Sequence, residues 1–274
     1  MKRYHVQNER MRLSMAGLPA VLGFLCLYIV PVGMTIWYSF LENSFTMIFA
    51  GVDNYLYIWA NEYFQLAVRN TICLTVTLVA SAAMVSVIIG YLHHRYTKSN
   101  GAGTLFLLLP LLIPSGAVVS IWKTVFSTSS FSGTMQSYAA ITSLFVWTYA
   151  GFGAVLIDTG LQRIPNEISQ AAEIDGAGAK KIYTRIHLPI LGKDLGLLIL
   201  FLLMFAFRIY KESYLLFGEY PCDAMYLVQH YMNNHFLKMN FQNVSAGTIS
   251  FAFLMFFIYG IVYWLMQENR RNTL

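Results

Sequence analysis

Six long apolar segments dominate this chain and restrict it to a fold that crosses a membrane. A helix needs roughly 20 apolar residues to cross a hydrocarbon core ~30 Å thick, and each segment is about that long. Only 11% of the residues are charged, against about 25% in a soluble domain, so the chain has too little polar surface for a fold in water. The segments cover about residues 15–40, 67–92, 104–123, 138–161, 195–217 and 244–266.

These segments predict an all-α integral membrane protein with six transmembrane helices and a single domain over residues 1–274. Six spans place both termini on one side. Lys and Arg collect in cytoplasmic loops, and with the N-terminus inside, 13 of the 18 basic residues fall there. The predicted topology is therefore N-in/C-in. The 13 residues are Lys2, Arg3, Arg10, Arg12, Arg95, Lys98, Arg163, Lys180, Lys181, Arg185, Lys193, Arg270 and Arg271.

The formal net charge of +5 does not indicate a nucleic-acid partner. Its basic residues lie beside the membrane exits, where they orient the spans and meet the headgroups of anionic lipid. Membrane lipid is therefore the partner that this charge predicts.

The segment 162–194 is a long polar stretch on the predicted cytoplasmic side. Pro165 suits a first helical turn, where its missing N–H is no loss, and Glu167 and Ser169 place acidic or capping groups at that end. The pattern predicts a short helix that runs to about Glu173.

A break and a second helix are predicted next. Gly176 follows Asp175 and can adopt the positive φ that a sharp turn requires. The stretch beyond it leads through Leu188-Pro189 into the fifth span. The segment therefore predicts two short helices, set at an angle, beneath the membrane.

The first of these helices has an almost bare side. Ala171 and Ala172 would allow a partner to approach the backbone closely. A helix lying on lipid headgroups is the alternative, but its apolar positions form a weak membrane face. A docking helix is therefore favoured. The apolar positions are Ile168, Ala171, Ala172 and Ile174.

This segment resembles the signature loop of ABC-importer permease subunits, written E-A-A-x-x-x-G with a downstream I-x-L-P. The matching residues are Ala171-Ala172, Asp175-Gly176-Ala177 and Ile186-x-Leu188-Pro189. Gln170 stands where that family usually has Glu, so a neutral hydrogen bond would replace a charged contact.

Further segments are similar to the carbohydrate branch of that family, the maltose-type permeases that depend on a binding protein. The resemblance runs over nearly the whole chain. The segments are Gly51-Val52-Asp53-Asn54-Tyr55, Phe64, Asn70-Thr71, Leu109-Pro110, Ile113-Pro114, Ile121-Trp122-Lys123 and Gly160-Leu161-x-x-Ile164-Pro165.

The resemblance implies a type I ABC importer fold and a permease subunit for a sugar or oligosaccharide in a bacterial cytoplasmic membrane. It also implies a second permease in a heterodimer, two cytoplasmic ATPase subunits and an extracytoplasmic solute-binding protein. The loop between spans four and five would act as a coupling helix that enters a cleft of the ATPase. The implied coupling residues are Ser169, Gln170, Ala171, Ala172, Asp175, Gly176 and Ala177.

The chain itself is not predicted to be an enzyme. It contains no G-x-x-x-x-G-K-[ST] phosphate loop and no convergent nucleophile or acid/base set. ATP and Mg would therefore be bound by the partner ATPase subunits, with no cofactor on this chain.

Ionisable residues in the fifth span predict the translocation path. Charges within the bilayer are costly unless they face a wet cavity or a partner. Arg208 and Glu212 are spaced to pair on a helix, with Lys211 on the same side. Tyr210 and Tyr214 offer flat rings that suit sugar faces or an interfacial belt. These five residues either line the path or form an ion pair with snorkelling Lys at the membrane exit.

An ion-coupled secondary carrier or channel is the alternative function, with Asp158, Arg208 and Lys211 as its charge path. The docking segment distinguishes the two, because a carrier has no use for it.

Three further polar groups were weighed. Asp158 is expected to be reached by water or paired between helices. His93 and His94 are expected at the membrane interface. A metal site of Asp223, His230 and His235 is disfavoured, because the spacing matches no compact ligand pattern.

Overall fold

The computed structural model describes residues 17–43, 46–97, 101–126 and 133–271, with side chains to residue 267. Four basic residues of the orientation argument near the N-terminus, together with Lys98 and the side chains of Arg270 and Arg271, lie outside this part. In chain order the helices are α1 (Gly17–Tyr38), α2 (Asp53–Ala60), α3 (Glu62–Leu92), α4 (Gly101–Leu112), α5 (Ser115–Val125), α6 (Thr134–Leu161), α7 (Asn166–Ile174), α8 (Ala179–Ile190), α9 (Gly192–Phe207), α10 (Tyr210–Phe217), α11 (Val228–Leu237) and α12 (Phe241–Arg271).

Four helices of the described chain are long and apolar enough to cross a membrane: α1, α3 with its continuation to Thr97, α6 and α12. Two bent pairs meet the same test when each is taken together. Helices α4 and α5 meet at 84°, and α8 and α9 meet at 72°. The chain thus carries four to six candidate spans.

The third predicted span is broken rather than straight. Helix α4 ends at Leu112 and α5 begins at Ser115, after Ile113-Pro114. Pro114 supplies no N–H, and its ring disfavours the helical conformation at the residue before it. This proline therefore separates α4 from α5.

The fifth predicted span was expected as one helix over 195–217, and that expectation is wrong. Helix α9 ends at Phe207 and α10 begins at Tyr210. The N–H groups of Arg208 and Ile209 donate to carbonyls three residues earlier, at 3.0 and 3.2 Å. This tight turn interrupts the α-helical pattern.

The chain divides into two compact units, and the larger holds residues 63–231 and the chain from 254 onward. Its core joins α3, α6 and α9 through buried aliphatic and aromatic side chains. At Gly151 a side chain would collide with the backbone carbonyl of Leu107, so α4 crosses α6 at close range. The core includes Leu74, Leu78, Ile141, Phe145, Leu198 and Leu202.

The smaller unit holds the chain up to residue 62 and residues 232–253. Every side chain of α1 is exposed or half-buried, which suits a helix that contacts lipid or another subunit. Asn54 at the start of α2 donates to the carbonyls of Ser39 and Leu41 at 3.0 and 2.7 Å. These bonds fix the outer segment that follows α1.

Candidate functional site

Helix α7 is the helix that the loop pattern predicted, and it ends one residue later than expected. Pro165 adopts an extended conformation (φ −59°, ψ 134°) and lies just before the first helical residue. Glu167 lies in the first turn, where the positive end of the helix dipole stabilises a carboxylate. Ser169 does not cap the helix, because its hydroxyl hydrogen-bonds to Nε2 of His187 at 2.9 Å.

The predicted turn at Gly176 is confirmed, with φ at +77°. The N–H of Gly176 donates to the carbonyl of Glu173 at 3.0 Å, and that of Ala177 donates to Ala172 at 2.9 Å. These two bonds satisfy carbonyls at the end of α7 and reverse the chain into α8. A residue with a Cβ would be strained at this φ.

One side of α7 is largely exposed in the described chain. Gln170 and Ala171 are exposed and Ala172 is half-buried. Ile174 is 87% exposed, and another molecule that covered it would remove apolar surface from water. The bare face predicted at the two alanines is therefore extended by an exposed isoleucine.

Helix α8 connects this segment to the spans. The hydroxyl of Tyr183 donates to the carbonyl of Val87 in α3 at 3.0 Å, and its ring lies 4.1 Å from that of Tyr91. An ion pair between Arg163 and Asp194 joins the two ends of the segment. The segment 162–194 is thereby joined to α3 through Tyr183 and to α9 through Asp194.

The second site is a cavity of about 570 Å³ in the larger unit. It contains four of the five residues predicted for the translocation path: Arg208, Tyr210, Lys211 and Glu212. Tyr214 is not on its wall, but its ring packs 5.7 Å from that of Tyr210. The other lining residues are Leu111, Ser115, Tyr149, Phe205, Phe207 and Gln229.

The break between α9 and α10 shapes this cavity. Gln229 of α11 donates through its side-chain amide to the carbonyl of Phe207 at 3.0 Å. That bond satisfies a carbonyl at the helix end, one of the groups that a helix terminus leaves open. Arg208 and Lys211, on either side of the break, are both exposed.

The ion pair between Arg208 and Glu212, one of the two alternatives left open, does not occur among the described residues. The ion pairs of the described chain are those of Asp158 with His93 and His94 and that of Arg163 with Asp194. Glu212 instead lines the cavity together with Ser115, at the start of α5. The spacing that suggested a pair assumed one continuous helix, and the turn at Arg208 removes that geometry.

Tyr210 is held in place by a group of aromatic rings. The ring of His230 lies 4.9 Å from Tyr210 and 6.5 Å from Tyr214. Nδ1 of His230 accepts a hydrogen bond from the N–H of Leu227 at 3.2 Å. His230 is fully buried, and burial lowers the pKa of its ring to about 4.

His93 and His94, which were expected at the membrane interface, both contact a buried carboxylate. Their Nδ1 atoms each lie 3.1 Å from a different carboxylate oxygen of Asp158. Gln162 adds a third contact to that carboxylate, at 3.1 Å. A π-helical turn that extends α3 to Thr97 carries both histidines, and a buried carboxylate requires such partners. Asp158 is thus paired between helices.

No group of three metal-ligating side chains that could hold an ion occurs in the described residues. Asp223, His230 and His235 are accordingly not assembled into a ligand set there.

Sequence reasoning missed Ser115, Tyr149 and Gln229 at the cavity and Tyr183 at the coupling segment. Each belongs to a helix other than the one that carried the prediction. The Ile113-Pro114 motif before Ser115 was the one local signal.

Comparisons with known proteins point to the same class. No family model matches the chain. It is 26% identical over 264 residues to the multiple sugar-binding transport system permease protein MsmF of Streptococcus mutans, with 89% of each chain covered.

Its fold is similar to that of a solved bacterial ABC transporter that imports the acidic polysaccharide alginate. The TM-score is 0.79 at 17% identity, with 98% of this chain and 99% of the other covered. A structure of a bacterial alginate ABC transporter with its periplasmic protein, which holds an alginate pentasaccharide, gives a TM-score of 0.75 at 18% identity over 94% of both chains.

The helical fold is that of the solved ABC-importer chains. Over most of its length the sequence is similar to permease proteins of sugar transport systems.

Proposed function

We propose that this chain forms part of the path by which an ATP-driven importer takes a sugar or oligosaccharide into a bacterial cell. The observation that carries the proposal is the exposed face of α7, which includes Ala171 and lies outside every predicted span. The path itself is the cavity beside the break at Arg208.

In this proposal a cleft of a cytoplasmic ATPase receives the coupling residues, which are Ser169 to Ala172 and Asp175 to Ala177. Small side chains at Ala171 and Ala172 allow close approach of backbones. Ile174, at 87% exposure, gives the cleft an apolar anchor. Closure of the ATPase pair then moves α7, and the contact of Tyr183 with Val87 passes that motion to α3.

Six spans with both termini inside are the topology that fits this assembly. The four long helices and the two bent pairs give that number when each pair counts as one span. The cytoplasmic position of α7 follows, between the fourth and fifth spans. The proposed location is a bacterial cytoplasmic membrane.

The remaining components are separate chains. A second permease completes the path as a heterodimer, and two ATPase subunits bind ATP and Mg. A solute-binding protein delivers the substrate to the outer segments 41–66 and 218–243. The alginate transporter was solved in complex with a periplasmic protein, and that complex supports the proposal.

The alternative function, a secondary carrier, requires a charge path that the described residues do not form. Asp158 is engaged by His93, His94 and Gln162 and is not on the wall of the cavity. It lies nine residues beyond Tyr149 of the cavity wall, roughly 14 Å along α6. Arg208 and Lys211 therefore have no relay that reaches it.

The test is purification through a tag on this chain, followed by reconstitution. The proposal expects a second permease and an ATPase to copurify. In vesicles, with the solute-binding protein outside and ATP inside, the complex should accumulate saccharide. Uptake that needs an ion gradient and no ATP would establish the carrier instead.

A further inference from the structure

We infer that the substrate cavity recognises a saccharide that carries a negative charge, bound through Arg208 and Lys211. This inference rests on the proposed function and names the substrate class for the same site. It follows from the charges, the rings and the shape of the cavity wall.

The ionised side chains on the cavity wall do not cancel. Arg208 and Lys211 are two cations, and neither forms an ion pair within the described residues. Glu212 is the one carboxylate among the described lining residues. The wall therefore carries an excess of one positive charge.

The two cations suit an anionic oxygen group. A guanidinium presents paired N–H donors that match a carboxylate or phosphate in a bidentate geometry, and an ammonium adds a compact point charge. Arg208 ends α9 and Lys211 lies in the first turn of α10, on opposite sides of the break. One anionic group in the cavity can be reached from both sides.

Flat rings beside these charges suit the rest of a sugar. Tyr149 stacks on Phe205 at 4.5 Å between centroids, and both line the cavity. Such rings pack against the apolar face of a sugar, and the Tyr149 hydroxyl can hydrogen-bond. The volume of about 570 Å³ falls within the range of roughly 300–1,000 Å³ for small-ligand sites.

When the path closes around the substrate, the charge of the substrate determines whether the two cations are neutralised. Cations that lose water without a partner are strongly disfavoured. A neutral sugar would leave Arg208 and Lys211 uncompensated in the occluded state, whereas an anionic sugar neutralises them. The competing explanation is that a carboxylate of the second permease neutralises the two cations. In that case the substrate is a neutral sugar.

The experiment uses the reconstituted complex with its solute-binding protein and two labelled pentasaccharides, one of uronic acids and one neutral maltopentaose. We expect ATP-dependent uptake of the uronate and little of maltopentaose. R208Q should lower uronate uptake at least about tenfold, as loss of a hydrogen bond to a charged group predicts. R208K should retain part of it, because the charge remains without the paired donors.

K123Q is the matched control, since it removes a positive charge from α5 that does not line the cavity, and its uptake should stay within about twofold of wild type. A measurement without mutation accompanies it: excess unlabelled uronate should compete for wild-type uptake and maltopentaose should not. If the complex takes up glucose 6-phosphate and not the uronate, the substrate is still an anionic sugar, with phosphate as its charged group.

Uptake of maltopentaose alone, or uronate uptake that R208Q leaves unchanged, overturns this inference and leaves the importer function standing. Absence of ATP-dependent uptake of any saccharide by an assembled complex overturns the proposed function and the inference together.

Discussion

Gln229 donates a hydrogen bond to the carbonyl of Phe207, and this contact lies at the point where the fifth span is interrupted. The two residues are far apart in the chain, yet together they determine how the cavity is lined. A helix that continued through Arg208 would place Arg208 and Lys211 on one helical face. The break instead exposes both cations beside the cavity.

The first prediction removes that contact. In Q229M the carbonyl of Phe207 loses its side-chain donor at nearly constant volume, so the complex should be destabilised by about 0.5–1.5 kcal/mol, the net contribution of one hydrogen bond. Thermal unfolding of the purified complex measures this. Q136M, at an exposed position in α6, is the control. Equal melting temperatures for Q229M and wild type would contradict the role given to Gln229.

The second prediction concerns docking of α7. A172W should block entry into the ATPase cleft by bulk, because the position lies outside the core of the larger unit. Uptake and substrate-stimulated ATP hydrolysis should both collapse, while membrane abundance stays normal. A172S keeps the residue small and should transport like wild type. Full transport by A172W would contradict the docking of α7 in an ATPase cleft.

The third prediction concerns Gln170, where the related permeases usually have Glu. Q170E should hold or tighten ATPase association, and that association should become more sensitive to salt because charge pairs are screened. Pull-downs across a salt series measure this. The same salt response for both proteins would show that the position makes no ionic contact.

The fourth prediction concerns water access to the path. Single cysteines at 208, 211 and 212, in a background without Cys26, Cys73 and Cys222, should react with a water-soluble thiol reagent. Reactivity should rise when ATP analogues hold the outward-open state. The background substitutions matter because Cys26 and Cys73 are exposed. A cysteine at Leu198, which is fully buried, should not react. Labelling indifferent to nucleotide would place the substrate elsewhere.

The fifth prediction concerns His230. Burial lowers its pKa from 6.5 to about 4, so the folded protein holds the ring neutral while the unfolded chain binds a proton below pH 6.5. Stability is therefore fully present above pH 6.5 and is lost as pH falls toward about 4. H230N keeps a hydrogen-bond acceptor without the titrating ring and should lose less stability over that range. Parallel melting curves for both proteins would reject this.

Much of the coupling segment could be predicted because local rules determine it. A proline before the helix and a glycine after it predicted α7 to within one residue at its end. The positive φ of Gly176 followed from turn chemistry alone. These features need only residues adjacent in the chain, so the sequence carries them directly.

The partner of the two histidines could not be predicted, for the opposite reason. His93 and His94 looked interfacial because they follow an apolar span, and no neighbour in sequence suggested Asp158 as a partner. That contact joins residues more than 60 positions apart in the chain. A buried carboxylate must find donors, but which helix supplies them depends on packing.

The sequence by itself determined that this chain belongs in a membrane, where its apolar segments lie, and that a polar helix interrupts them. Those properties depend on composition and local spacing. Only the tertiary structure decided that the predicted fifth span breaks at Arg208, that Glu212 lines the cavity with Ser115 and forms no ion pair with Arg208, and that Tyr149 joins the cavity. Each depends on groups brought together from separate helices, whose mutual placement is settled by packing and by the need to satisfy buried polar groups.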